Sequence, residues 1–336
     1  MSTPGSKATL KSIAEAAGVH PSTVSRALMS MPGSRIPAAT VERIRRAAAE
    51  LNYAPDPWAK SLRTRRGMMV GLAIPRLTDV VLGQMFEAAQ WRARDFGYQT
   101  MTVSSEREGT ESISIKSLMD RRTDGLILAT ATLRDPFLKV IEGSGLPFVL
   151  LNRSSGSYPA VCGDDLLGGY LATKHLLDLG HTRIGHISGP TTVSTGKLRA
   201  QGYRNALHEA GVQPANELVA AGEFDADSGT AAAEKLLSLA DRPTAIFAIN
   251  DISALAAMAV ARRRGLRVPE DVAIVGYNDS EMSALLPIPM TSVRVPLMDM
   301  GRLAVELLMK RLAGEEVASV LMAPEVVARE SSGALA

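Results

Sequence analysis

Cysteine occurs once in the 336 residues, at Cys162, so no intramolecular disulfide can form and the chain suits a reducing compartment. Aromatic residues make up only 4%, which leaves Ala, Leu, Val, Ile and Met to build the core. No apolar run reaches the roughly 18–20 residues that a membrane-crossing helix needs. The opening "MSTPGSKATLKS" has no apolar stretch behind its lysines, so neither a secretory signal nor a transit peptide fits. A cytoplasmic protein without a membrane partner is expected. Catalytic signatures are missing as well. His175, His181 and His186 fall on an expected helix end, a loop and a strand, no helix carries an H-E-x-x-H pair, and Cys162 has no thiolate neighbours, so zinc lacks a ligand set. "GDDLLGGY" is not a G-x-G-x-x-G after a strand, and neither a G-x-x-x-x-G-K-[ST] loop nor a G-x-S-x-G elbow occurs. No cofactor and no metal are expected, and an enzyme is disfavoured.

What is present is length and an uneven charge. A chain of 336 residues exceeds one ordinary core, so two or three domains are expected. Hydrophobic content of 46% with 21% charged residues is that of a soluble globular protein. The net charge of +2 hides an asymmetry: residues 1–66 carry eleven Lys and Arg against four Asp and Glu, a net +7, and the other 270 residues carry −5. A basic head on a mildly acidic body points to nucleic acid, with a solvated charged face as the alternative.

The head reads as three short helices. In "TLKSIAEAAG", Thr9 is placed to cap a helix that Gly18 closes, and Leu10, Ile13, Ala14 and Ala17 recur at helical spacing. Pro21 suits a first-turn position, so "PSTVSRAL" starts a second helix with Val24, Ala27 and Leu28 inward and Ser22, Thr23, Ser25 and Arg26 outward. "AATVERIRRAAAEL" supplies Val41, Ile44, Ala48 and Leu51 to a shared core and leaves Arg43, Arg45 and Arg46 in solvent or near phosphate. Two short helices about a glycine-bearing turn make a helix-turn-helix, whose second helix lies in the DNA major groove. Arg26 is then the base reader, able to pair bidentately with guanine, while hydroxyls and backbone N–H groups take phosphate.

From Met68 onward, apolar runs alternate with amphipathic helical stretches: "MMVGLAIP", "YQTMTVSS", "GLILAT", "PFVLLN", "RIGHISG", "LVAAGEF", "TAIFAIN", "VAIVGYND" and "TSVRVP". That alternation indicates βαβ units, and nine strands fit two doubly wound parallel-sheet subdomains better than one sheet. Ligands in such sheets sit beyond the strands' carboxyl ends, where Asp164, Asp165, "SGPTTVS", Asn250, Asp251, Asn278 and Asp279 cluster.

The segments "TLKSIAEAAGVHPSTVSRAL" and "VERIRRAAAELNYAPDPWAKSL" resemble the N-terminus of the lactose-repressor (LacI/GalR) family of bacterial transcription regulators, and "HLLDLGHTRIGHISGP", "RAQGYRNAL", "IFAINDISALAAM" and "VPEDVAIVGYNDSEM" extend the resemblance through the body. It implies an α/β protein: a three-helix helix-turn-helix head at 1–53, a hinge at 54–66, and at 67–336 a periplasmic-binding-protein-like core that binds effector and dimerises. It also implies a regulator of the repressor type that binds a pseudo-palindromic double-stranded DNA operator as a homodimer under control of a sugar, sugar acid or related metabolite. In the family pattern Pro21, Ser22 and Arg26 face base edges, Thr23 and Ser25 lie near phosphate, and Leu62 enters the minor groove, with Lys60 beside it. Asp56 and Lys60 stand where the family usually has asparagine and arginine, Met29 where it often has asparagine, and "MSMPGSRIP" lengthens the connection. Family position makes Arg199 the effector arginine, Thr195 its neighbour one turn earlier, Phe224 a stacking ring, and Asn250 and Asn278 polar contacts. Asparagine at 278, where the family often has aspartate, favours an anionic or less basic effector, and "LTDVVL" lacks an aromatic pair that many relatives carry at the cleft mouth. The ending "RESSGALA" is not the apolar heptad tail of a tetramer, so dimers are expected. The alternatives are a sugar-binding module without a gene-regulatory role, which leaves residues 1–66 unexplained, and an enzyme on two α/β lobes, which lacks a catalytic set.

Overall fold

The computed structural model describes residues 9–28, 36–51, 53, 67–105, 111–121 and 123–333. The hinge expectations at Lys60 and Leu62 lie outside the described residues. The chain divides into two compact units, Met1–Gly67 and Met68–Ala336.

The first unit contains α1 (Leu10–Ala16), α2 (Pro21–Leu28) and α3 (Ala38–Glu50). Thr9 and Ser12 cap α1 reciprocally, each side chain meeting the other's backbone N–H. Gly18 takes φ +60, which glycine adopts without steric cost, and the chain turns into α2. Ile13, Ala14, Ala17, Val24, Ala27, Ile44, Ala47 and Ala48 form the core. Two expectations are corrected here. Leu51 is 39% exposed because α3 ends at Glu50, and Ala47 fills the core instead. Arg43 is not given over to solvent or phosphate alone: its Nε donates to the Ala17 carbonyl at 3.0 Å, tying α3 to the end of α1.

The second unit holds two six-stranded sheets. Lobe one contains β1 (Met69–Ile74), α4 (Val80–Asp95), β2 (Gln99–Ser104), α5 (Glu111–Asp120), β3 (Gly125–Leu128), α6 (Phe137–Gly143), β4 (Phe148–Leu151) and β5 (Ala160–Gly163). Lobe two follows with α7 (Asp165–Asp178), β6 (Ile184–Ser188), α8 (Ser194–Glu209), β7 (Val219–Ala221), α9 (Ala226–Leu237), β8 (Ala245–Ala248), α10 (Asp251–Arg263), β9 (Ala273–Asn278) and β10 (Thr291–Arg294). The chain then returns to lobe one for α11 (Leu297–Leu312) and β11 (Val320–Met322), and ends in lobe two with β12 (Glu325–Val327). The sheet orders are β11-β5-β4-β3-β1-β2 and β12-β10-β9-β8-β6-β7, parallel throughout except β10 against β12. All nine expected strands are present. The three additional ones, β5, β11 and β12, span three or four residues.

Helices on both faces explain the unbroken apolar strands. In lobe one Leu126, Leu128, Phe148 and Leu150 face Ile115, Leu118, Leu138 and Ile141, while their neighbours Ile127, Val149 and Leu151 face the side where Met85, Phe86, Met300, Ala304 and Leu308 pack. Each fully buried side chain of this size stabilises by about 1.5–3 kcal/mol. Gly301 lets α11 lie against α4, since a Cβ there would overlap the Met85 carbonyl. The order of each sheet reverses once, at β1/β3 and at β6/β8, and residues at the carboxyl ends of β1, β4, β7, β8 and β9 line a shared cleft.

Candidate functional site

In the first unit, α2 has no acidic residue in its first turn and presents Ser22 and Arg26 as exposed residues, with Pro21, Thr23 and Ser25 half-buried beside them. The positive end of the helix start favours an anion here, although its N–H groups are already engaged: Ser22 donates to His20 Nδ1, and Thr23 and Val24 donate to the His20 carbonyl. Arg26 Nε donates to the Ser22 carbonyl one turn back at 3.3 Å. His20, which the sequence reading passed over, lies at the same helix start: its Nδ1 is 2.8 Å from Ser22 Oγ and accepts from the Ser22 N–H at 3.2 Å. Its place two residues before a serine at a helix start was the available signal.

In the second unit, Arg76, Thr78, Asp79, Asn152, Arg153, Thr195, Arg199, Phe224, Asp225, Asn250, Asp251, Asn278 and Ser280 surround a cleft between the lobes that encloses about 220 Å³, the size for a small metabolite and not a polymer. The lobes meet across it. The Leu133 N–H donates to the Thr192 carbonyl at 2.8 Å, the Ser154 N–H to Ser194 Oγ at 2.9 Å, and Arg76 Nη2 to the Phe224 carbonyl at 3.4 Å. Arg76 also pairs loosely with Asp225 at 4.0 Å, and Asp225 caps α9 by accepting from the Ser228 N–H, which holds its carboxyl below the usual range.

Arg199 forms the floor. It is 3% exposed, its Nε donates to Asp165 Oδ1 at 2.7 Å, its Nη1 donates to the Ile249 carbonyl at 2.7 Å, and its Cζ lies 3.6 Å from the Tyr277 ring centroid. Burial works against the charged guanidinium and Asp165 more than offsets it, so the pKa stays above its ordinary value. One glycine on each of α7 and α8 permits this pairing: a Cβ on Gly169 of α7 would collide with the Arg199 carbonyl, and one on Gly202 of α8 with the Leu166 carbonyl. α7 and α8 therefore approach backbone to backbone, and Asp165 reaches Arg199.

Thr195, one turn before Arg199, is 1% exposed, and its Oγ1 has no hydrogen-bond partner. A buried hydroxyl left unmet costs about 1–3 kcal/mol, so a ligand that reaches it gains that amount. Asn250 is occupied at both ends: its Oδ1 accepts from the Ser253 N–H at 2.9 Å as the cap of α10, and its Nδ2 donates to the Phe224 carbonyl at 3.2 Å. Through that bond Asn250 holds the loop carrying Phe224, whose ring has the Arg153 guanidinium 5.6 Å above it. Asn278 sits at φ +100, a region non-glycine residues rarely enter. The next residue secures it: buried Asp279 pairs with Arg294 at 2.7 Å and Arg329 at 2.6 Å, and its N–H donates to Ser292 Oγ. Asp251 lines the cleft with both oxygens engaged, Oδ1 by Ser292 Oγ and Oδ2 by the Ser280 N–H, while burial pushes its pKa up. Among the described residues, no group of His, Cys, Asp and Glu is arranged to hold a metal, and no helix is long and apolar enough to cross a membrane.

The profile of bacterial regulatory proteins of the lacI family matches residues 9–56, and that of the periplasmic binding protein-like domain matches residues 173–332. The HTH-type transcriptional repressor PurR of Aliivibrio salmonicida (strain LFI1238) is 33% identical over 330 residues, covering 96% of this chain and 98% of the relative. The chain belongs to the LacI family. Another LacI-family relative, the HTH-type transcriptional regulator CelR of Thermobifida fusca, is 36% identical over 337 residues, 96% of this chain and 98% of its own. Among solved structures, the CelR–cellobiose complex aligns with a TM-score of 0.75 at 34% identity, covering 97% of this chain and 100% of that one. The Lac repressor dimer bound to operator and the anti-inducer ONPF aligns with a TM-score of 0.89 at 29% identity, covering 98% of this chain and 100% of that one. As in this LacI-family frame, the fold is α/β, with a helix-turn-helix region and two parallel-sheet lobes.

Within the LacI-family core, the five residues expected from sequence, Thr195, Arg199, Phe224, Asn250 and Asn278, all border the one cleft. The sequence reading omitted Arg76, Asn152, Arg153, Asp225 and Ser280, and noted Asp165 and Asp251 without a role. One signal was available. Asn152 follows β4 and Asn278 ends β9, and both take positive φ, 67° and 100°, where asparagine is enriched.

Proposed function

We propose that this LacI-family protein is a sequence-specific DNA-binding transcriptional regulator of the repressor type, acting as a homodimer in the cytoplasm, whose operator affinity is set by a small-molecule effector in the lobe cleft. Residues 1–53 serve as the DNA-binding domain, 54–66 as the hinge, and 67–336 as the effector-binding and dimerisation core. Pro21, Ser22 and Arg26 read bases, Thr23 and Ser25 hold phosphate, and Lys60 and Leu62 contact the minor groove. Thr195, Arg199, Phe224 and Asn278 touch effector, and Asn250 sets the Phe224 loop. The protein performs no catalysis. The observation that carries the reading is the pairing of a basic helix-turn-helix unit with a cleft whose buried hydroxyl, Thr195 Oγ1, lacks a protein partner.

The test is fluorescence anisotropy of the full-length protein on the duplex upstream of its own gene, against random duplex, with and without cellobiose, ribose, sugar acids and nucleobases. We expect a preference for one symmetrical site and a shift of about 5- to 150-fold in affinity with one compound, which corresponds to a coupling of about 1–3 kcal/mol. Arg26→Ala should lose about 1–3 kcal/mol of discrimination between that site and random duplex. A protein with no site preference under any of these compounds, or an Arg26→Ala variant as selective as the parent, would refute the reading.

A further inference from the structure

With Asp165 behind its floor included, three arginines and four aspartates surround the cleft, a formal charge of −1. Three arginines line it, Arg76, Arg153 and Arg199, and so do three aspartates, Asp79, Asp225 and Asp251. The arginine at the floor is matched separately by Asp165, which lies directly behind it and is itself 3% exposed. Asp165 is the first residue of α7, where the helix dipole also favours a carboxylate, and Asp164 caps the same turn. Burial pushes the Asp165 carboxyl up and the adjoining guanidinium pulls it back, so the two side chains are buried as one neutral pair. The remaining polar groups are neutral ones suited to hydroxyls: the unmet Thr195 Oγ1, the two asparagines at positive φ, Asn152 and Asn278, and the Phe224 ring for a sugar or base face.

We infer that Asp165 is a positioning residue that sets the charge class of the effector: paired with Arg199, it leaves the floor of the cleft without net charge, so the cleft takes an uncharged hydroxylated ligand and turns away its anionic counterpart. This rests on the reading of the cleft as the effector site, and it reverses the expectation drawn from asparagine at 278. Arg199 still donates hydrogen bonds, since Asp165 and Ile249 occupy two of the five guanidinium N–H donors. What Asp165 removes is the net attraction for a carboxylate or phosphate.

The experiment uses the full-length protein and matched probes: cellobiose with cellobionate, ribose with ribonate, and inorganic sulfate at constant ionic strength, read by calorimetry and thermal shift. In the parent, the neutral member of a pair should bind and its acid should not. In Asp165→Asn, which exposes an unmatched guanidinium to the cleft, sulfate and the acids should bind at least about tenfold more tightly than in the parent, and the neutral sugar more weakly. Asp165→Asn combined with Arg199→Gln restores a neutral pair and should show no gain for anions, which separates charge matching from a general loss of packing. If Asp165→Asn does not fold, the parent's own ranking of acid against neutral probe still decides. The inference is overturned by a parent that prefers an acid to its neutral partner, by a folded Asp165→Asn protein that gains no affinity for sulfate or the acids, or by a double variant that gains it. Neutral probes that bind as expected yet leave operator affinity unchanged would instead refute the proposed regulatory function, while the charge assignment stands.

Discussion

A neutral imidazole occupies the middle of lobe two. His186 is fully buried, with ring centroids 4.9 Å from Tyr203 and 4.8 Å from Phe247 in near-parallel stacks, and its Nδ1 donates to the Phe247 carbonyl at 2.9 Å. Burial pushes its pKa down from 6.5 to about 4. The unfolded chain therefore takes up a proton at His186 near pH 6.5, whereas the folded chain does so only near 4. Stability is complete above the higher value and falls as pH drops between the two, by about 3 kcal/mol in all. His186→Phe should flatten the fall in Tm between pH 6.5 and 4, and an unchanged profile would show that this ring is not the group responsible. Nothing in "RIGHISG" beyond its place in an expected strand announced a stacked, neutral histidine, because its two partner rings come from β8 and α8, far along the chain. The same distance hid Asp165 from view as the mate of Arg199, 34 residues away. Arg199, Thr195, Phe224, Asn250 and Asn278 were legible because a family pattern fixes their positions, and their shared cleft followed from the rule for strand ends.

Among the elements, α7 and α8 show how backbone proximity creates the site. Alanine for glycine inside a helix ordinarily stabilises by about 0.5–1 kcal/mol. At Gly169 the sign should reverse, because the added Cβ overlaps the Arg199 carbonyl, a backbone atom that cannot rotate away. We expect Gly169→Ala to lower the urea midpoint, at a cost of about 1–3 kcal/mol, and to blunt the response to effector. A midpoint equal to or above the parent's would mean that the helices are free to separate. The helices and long strands were readable from apolar period and from caps such as Thr9. The edge strands β11 and β12 were not, since they are held by neighbours and have little intrinsic signal. Arg43 illustrates the opposite limit: a basic residue on a helix face reads as a phosphate contact, while here it also ties two helices of its own unit together.

At the scale of the whole molecule, fold class and the two-sheet plan were legible from the alternation of strands and helices, but the return of the chain to lobe one was not. The polypeptide passes between lobes after β5, after β10 and after β11. Lobe one therefore depends on α11, whose Met300, Ala304 and Leu308 are fully buried in it. A protein ended at Pro296 should accordingly fail to give a cooperative melting transition for either lobe, since lobe one loses α11 and lobe two loses β12. Calorimetry that found one lobe melting normally would contradict this.

That interlacing has a consequence for synthesis. A nascent chain emerging from the ribosome at about 5–20 residues per second has made five strands of lobe one well before the helix that covers them exists. Those strands must wait, with α4 over β1 and β2 but Val149, Leu151 and Val161 of β4 and β5 still lacking their covering helix, until residues 297–312 clear the exit tunnel. The molecule is thus most exposed to aggregation late in translation, and holdase chaperones have their longest window on this protein during the synthesis of lobe two.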